Sequence, residues 1–234
     1  MNTFTGFQPE AFAYLRELAA HNDREWFHAH QADYKGLLLE PARGLVEAIG
    51  AHLAAVVPAV HADPRVNGSI LRIARDTRFS ADKSPYRTHL DLWFWEGDGP
   101  SRESAGYFMR LDPDAVTLGV GAHHFTDAGL ASYRRAVDAA DRGAELDRAV
   151  RDALTAGARF GPARWKRVPA PYAADHPRAD LLRHGGLVAA TTDPMPAEAF
   201  TEAFPEWCVE RWRPLRPLQA WVAGVVETAR ATAV

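Results

Sequence analysis

A chain of 234 residues, 47% of them hydrophobic, is large enough to bury a sizeable core without disulfide staples. Its net charge of −3 argues against the broad basic surface of a nucleic-acid binder, and its one cysteine, Cys208, has no partner within the chain. The opening MNTFTGFQPE lacks the basic and apolar regions of a signal peptide, and the apolar runs fall far short of the roughly 20 residues of a membrane span, so a soluble, cytoplasmic protein is expected.

In chain order, the first third reads as helix. Pro9 and Glu10 suit a first turn, and Phe12, Leu15, Leu18 and Ala19 recur at helical spacing. The Asn22-Asp23 pair ends that helix and offers a cap to the next, which opens with Glu25 and Trp26. Pro41 is expected to break or kink the pattern before Leu45, Ile49, Leu53 and Val56 resume it. The middle third changes period. Residues 69–74 form a short extended candidate, and 88–95, 106–111 and 115–120 read as three strands joined by short links, which makes antiparallel neighbours. The last third returns mostly to helix. Thr126 is placed to cap a segment carrying Leu130, Tyr133 and Val137. Leu146, Val150 and Leu154 suggest one buried face, and four prolines from Pro196 to Pro217 divide the end into short helices. Helices flanking a run of strands indicate an α+β fold, an antiparallel β-meander between N-terminal and C-terminal helices, and no linker marks a second domain within 1–234.

Three of the 27 basic residues are lysines, so one of them, Lys83, stands out in the segment NGSILRIARDTRFSADKSPYRTH. There Arg72, Arg75, Arg78, Lys83 and Arg87 crowd together with Asp76 and Asp82. If the start of the segment is extended, Arg72, Asp76 and Arg78 share one face and Arg75 points to the other. Guanidinium groups gathered in one place repel one another unless anions lie between them, and the planar fork of arginine suits carboxylate or phosphate.

The segment fits RxxRDxRFxxxKxPY through Arg72, Arg75, Asp76, Arg78, Phe79, Lys83, Pro85 and Tyr86. With the opening Phe4-Thr5-Gly6-Phe7, the run HNDREWF and the later WKRVPAPYAADHP, it resembles, over the whole chain, the bacterial family catalogued as domain of unknown function 2461. The resemblance implies no activity, substrate or cofactor. The chain departs from the family's expected pattern at His123-His124, whose role the sequence leaves open.

Two readings stand side by side. In one, Arg72, Arg75, Arg78, Lys83 and Tyr86 hold a small anionic ligand bearing phosphate or carboxylate, with Asp76 orienting the arginines and Asp76 and Lys83 the candidate catalytic groups. In the other, the charges form a structural ion-pair network and the protein is a non-catalytic module acting by protein–protein contact. Neither names a reaction or an oligomeric state. No cofactor motif is present: Gly97-Asp98-Gly99 and Gly119-Val120-Gly121 match neither a dinucleotide fingerprint nor a P-loop. No metal is expected, because His28 and His30, two apart on a helix, and the adjacent His123 and His124 lack ligand spacing.

Overall fold

Pro9 occupies the first turn of α1 (Pro9–Ala20), where its missing N–H costs nothing, and Phe12, Leu15 and Leu18 form the buried stripe of that helix. The computed structural model describes residues 3–232. Asp23 caps α2 (Arg24–Ala29), its carboxylate accepting from the Trp26 N–H at 2.8 Å. A short α3 (Gln31–Asp33) then leads into a π-helical stretch, Tyr34–Leu39, and α4 (Glu40–Ala54). Pro41 therefore does not break the helix. It sits in the first turn of α4, and the strain is taken up just ahead of it, where the Glu40 N–H reaches back to the Lys35 carbonyl in a widened turn. Leu45, Ile49 and Leu53 are fully buried, whereas Val56 is exposed.

Among the described residues the sheet has six strands, β1 (Val60–His61), β2 (Leu90–Glu96), β3 (Gly106–Leu111), β4 (Ala115–Ala122), β5 (Arg159–Phe160) and β6 (Leu187–Pro194), in the order β1-β2-β3-β4-β6-β5. The fold is α+β and the sheet antiparallel, with β2, β3 and β4 as the expected meander. The strand at β6 departs from the expectation of a mostly helical last third. One face of the sheet is core: Leu92, Phe94, Tyr107, Met109, Leu111, Val116, Leu118, Leu187 and Ala189 are all 1% exposed or less. The alternate positions, among them Trp93, Phe108, Arg110 and Thr117, are half-buried, with Asp91 fully buried among them.

Thr126 caps α5 (Asp127–Asp138) through its hydroxyl, which accepts from the Gly129 N–H. In α6 (Ala140–Thr155) the buried face is Gly143, Leu146, Ala149 and Ala153. Leu154, expected on it, is exposed, because a strict spacing of four drifts off a 3.6-residue turn within two turns. A short α7 (Ala179–Leu182) follows. The prolines of the last part fall in short turns and at helix starts around α8 (Phe204–Trp212) and α9 (Arg216–Ala231), whose Leu218, Trp221, Val222 and Val225 are buried. Among the described residues, no helix is long and apolar enough to cross a membrane.

The chain divides into two compact units. The first takes in the chain up to Phe94 with Phe108–Leu118 and Thr192–Glu210, and the second Trp95–Tyr107, Gly119–Thr191 and the chain from Arg211 on. In the first, α1 packs on the π stretch and α4 on β1. In the second, α5 packs on α6 and α9.

Candidate functional site

The charged segment belongs to the first unit. Its start is extended but changes partner, which is why it forms bridges rather than a strand: Ile70 pairs with Leu92 of β2 and Ala74 with Tyr86. Exposure alternates along it as an extended chain requires. Arg72, Asp76 and Arg78 are exposed, and Arg75 lies on the other, half-buried side. Beyond Arg75 the chain turns back on itself, with backbone bonds from Arg75 N–H to the Pro85 carbonyl and from Arg87 N–H to the Ile73 carbonyl, both 2.8 Å.

Within that hairpin the carboxylates are taken by neighbours. Asp76 receives the Arg78 fork, Nε to Oδ1 at 3.0 Å and Nη2 to Oδ2 at 2.7 Å. Asp82 accepts from the Ser84 hydroxyl at 2.7 Å and the Ser84 N–H at 2.9 Å, and it pairs with the Arg75 guanidinium. Hydrogen bonding from Arg78 holds the Asp76 carboxyl below its ordinary range, and Ser84, followed by Arg75, does the same to Asp82. Asp76 is thus an anion that orients Arg78, and a weak base. Lys83 donates to the Thr77 carbonyl at 2.9 Å. Two cations of the segment, Arg72 and Lys83, make no ion pair among the described residues, although the Arg72 charge also helps to hold Asp76 down. At the tip Phe79 is 94% exposed, with the Arg78 guanidinium 5.8 Å from its ring centre.

Tyr86 anchors the hairpin to the run HNDREWF. The Asn22 side chain pairs with the Tyr86 backbone in both directions, Nδ2 donating to its carbonyl at 2.9 Å and Oδ1 accepting its N–H at 3.0 Å. The Phe27 ring stacks on the Tyr86 ring with centroids 4.0 Å apart. The two sequence patterns therefore meet in space, and Tyr86 serves packing as well as the segment's register. Replacing Asn22 by alanine is expected to cost about 1–3 kcal/mol, since it strands a part-buried carbonyl and N–H together. Chemical denaturation measures the loss, and faster amide exchange at Tyr86 locates it.

A second cluster adjoins the first and was not legible in the sequence. Asp91 of β2 is 2% exposed, and Arg110 of β3 grips it with Nε at 2.7 Å and Nη2 at 3.1 Å. Arg87 Nη1 and His89 Nε2 each lie 3.3 Å from its Oδ2. Burial pushes the Asp91 carboxyl up, but the His89 imidazole and the Arg110 guanidinium outweigh it and hold it below its ordinary value. The Arg87 Nε is buried without a hydrogen-bond partner among the described residues. The available signal was a carboxylate in the otherwise apolar run LDLWFW, where an unpaired Asp would be costly.

The other polar and titratable groups of note fall elsewhere. His30 stacks on Trp26 at 4.1 Å. His123 and His124 are exposed after β4, and Lys166 and Arg167 are exposed in the second unit. Cys208 is wholly buried; burial, rather than the flanking Glu206 and Glu210, pushes its thiol well up. Among the described residues no three His, Cys, Asp or Glu side chains gather as a metal ion would need. Two surface clefts, of about 320 and 380 Å³, are lined by Phe12, Arg16, Asp114 and Phe200 in the first unit and by Arg142, Asp152 and Trp221 in the second, not by the charged segment.

A family model described as a conserved hypothetical protein, DUF2461, matches residues 10–221, which include both the hairpin and the run that anchors it. No curated protein and no solved structure is matched by this chain.

Proposed function

The chain belongs to the DUF2461 family, and on that premise we propose that it binds a small anionic ligand, bearing phosphate or carboxylate, on the hairpin from Arg72 to Arg87. One observation carries the reading. Asp76, Asp82 and Asp91 are each committed to an arginine, which leaves Arg72 and Lys83 outside any ion pair among the described residues of a chain of net charge −3. Arg75 and Arg78 then act by shaping the hairpin through their own aspartates, and Tyr86 by fixing its register on Asn22. Arg72, Lys83 and the half-buried Arg87 supply the field and the donors. Any chemistry on the ligand would fall to Lys83, because Asp76 is held as an anion by Arg78.

Phosphate titration followed by calorimetry at fixed ionic strength tests this. Arg72→Ala and Lys83→Ala are each expected to weaken binding roughly fivefold, about 1 kcal/mol for an exposed charge, with unchanged melting temperature. Binding that is absent in the wild type, or as tight in both variants as in the wild type, sinks the reading.

A second reading has its own support. The exposed Phe79 ring on a self-paired hairpin suits a contact with a protein partner, for which Phe79→Ser would abolish capture while leaving phosphate binding intact.

A further inference from the structure

The run WKRVPAPYAADHP lies in the second unit, outside the hairpin, and its first residue is the centre of a separate cationic cluster. Trp165 carries two guanidinium groups. The Arg134 Cζ, from α5, is 4.5 Å from its ring centroid and the Arg164 Cζ is 5.1 Å away. The position is built rather than incidental. The Arg164 and Trp165 N–H groups both donate to the Arg183 carbonyl, at 2.9 and 3.1 Å. The two side chains pack on Gly185, where an added Cβ would fall 2.6 Å from the Arg164 Cδ and 3.5 Å from the Trp165 ring. Arg183 closes the loop by donating to the Lys166 carbonyl at 3.3 Å.

The charges do not balance. Arg183 has Asp180 at 2.5 Å, but Arg134 and Arg164 have no carboxylate partner among the described residues, and the exposed Lys166 and Arg167 follow directly. The Arg134 and Arg183 Nε atoms are both buried without a hydrogen-bond partner among the described residues. Stacking satisfies only the face of a guanidinium. Its N–H donors lie in the plane at the edge, and a ring cannot accept them all. Two forks set against one indole therefore bring like charge to one place, with the Arg134 Nε a desolvated, unused donor and the Arg164 fork exposed, and an oxyanion there removes the repulsion and accepts from both. His184, buried alongside, is held below its ordinary value by burial and by the Arg183 charge, in keeping with a positive local field.

We infer that Arg134 and Arg164, braced on Trp165 and aided by Lys166 and Arg167, form a second site, for the phosphate group of a small phosphomonoester. This goes beyond the hairpin reading and does not depend on it. To keep the two apart, the test uses the full chain carrying Arg72→Ala and Lys83→Ala. Inorganic phosphate and a sugar phosphate are titrated at constant ionic strength against chloride, following the fluorescence that is lost on Trp165→Phe. Saturable change with both phosphates and none with the unphosphorylated sugar is expected, weakened about tenfold by Arg134→Gln and by the exposed Arg164→Gln, with circular dichroism unchanged. A response no larger than that of chloride, an equal response to the unphosphorylated sugar, or unchanged affinity in the well-folded Arg164→Gln variant would overturn the inference.

Discussion

Replacing Asp91 by alanine is expected to lower the unfolding free energy by about 2–4 kcal/mol. Removing one partner of a buried ion pair typically costs about 3–5 kcal/mol, because the other charge is left desolvated. The figure is set lower here because the Arg87 and Arg110 side chains are 35% and 36% exposed and regain part of their hydration. Asp91→Asn keeps the shape but only one acceptor oxygen, its NH2 facing guanidinium donors, and should recover only part of the loss. The effect has a defined pH dependence. The folded-state carboxyl is held below its ordinary value, so its stabilisation is complete above the unfolded value of about 3.9. It fades as pH falls through the lower, folded value. Urea denaturation of wild type and variant at neutral pH, pH 4 and below should therefore show a gap that is widest at neutral pH and closes in acid. A gap that stays constant into acid would mean that the Asp91 charge contributes nothing and that only its packing matters.

The same cluster shows why the fold was easier to read than the site. Amphipathic spacing is local, so the buried stripes at Phe12, Leu15 and Leu18 and at Leu45, Ile49 and Leu53 follow from the sequence. So do the strands around Tyr107 and Val116 and the Thr126 cap. The partners that define the charged regions are remote: Asp91 meets Arg110 19 positions away, and Asn22 meets Tyr86 64 positions away. Composition marked the hairpin as charged, but not that Asp76 and Asp82 would neutralise their own neighbours. That depends on a chain reversal in which Ser84 turns its hydroxyl onto Asp82. Trp165 was visible as a motif residue, whereas Arg134, which comes to it from α5, was not.

The strand at β6 was missed for a different reason, and it supports the other large prediction. LVAATTDP holds two alanines and a proline where strands usually carry β-branched or aromatic residues, and small side chains are useful there because the neighbouring strand comes unusually close. Gly121 of β4 has φ +122°, and a Cβ built on it would stand 1.9 Å from the Leu187 carbonyl oxygen of β6. The Gly121 N–H also donates to Gln219 Oε1 at 2.8 Å. Gly121→Ala should therefore suffer both the backbone strain of a left-handed φ and a collision with main chain that cannot rotate away, together about 3–5 kcal/mol. Gly157→Ala separates the two costs. Its φ is +84°, but the added Cβ meets nothing within 4 Å, so only the conformational penalty of about 1 kcal/mol remains. Thermal or urea melts of the two variants provide the comparison. If Gly121→Ala loses no more stability than Gly157→Ala, then β4 and β6 do not approach each other at Leu187, and the placement of β6 beside β4 is wrong.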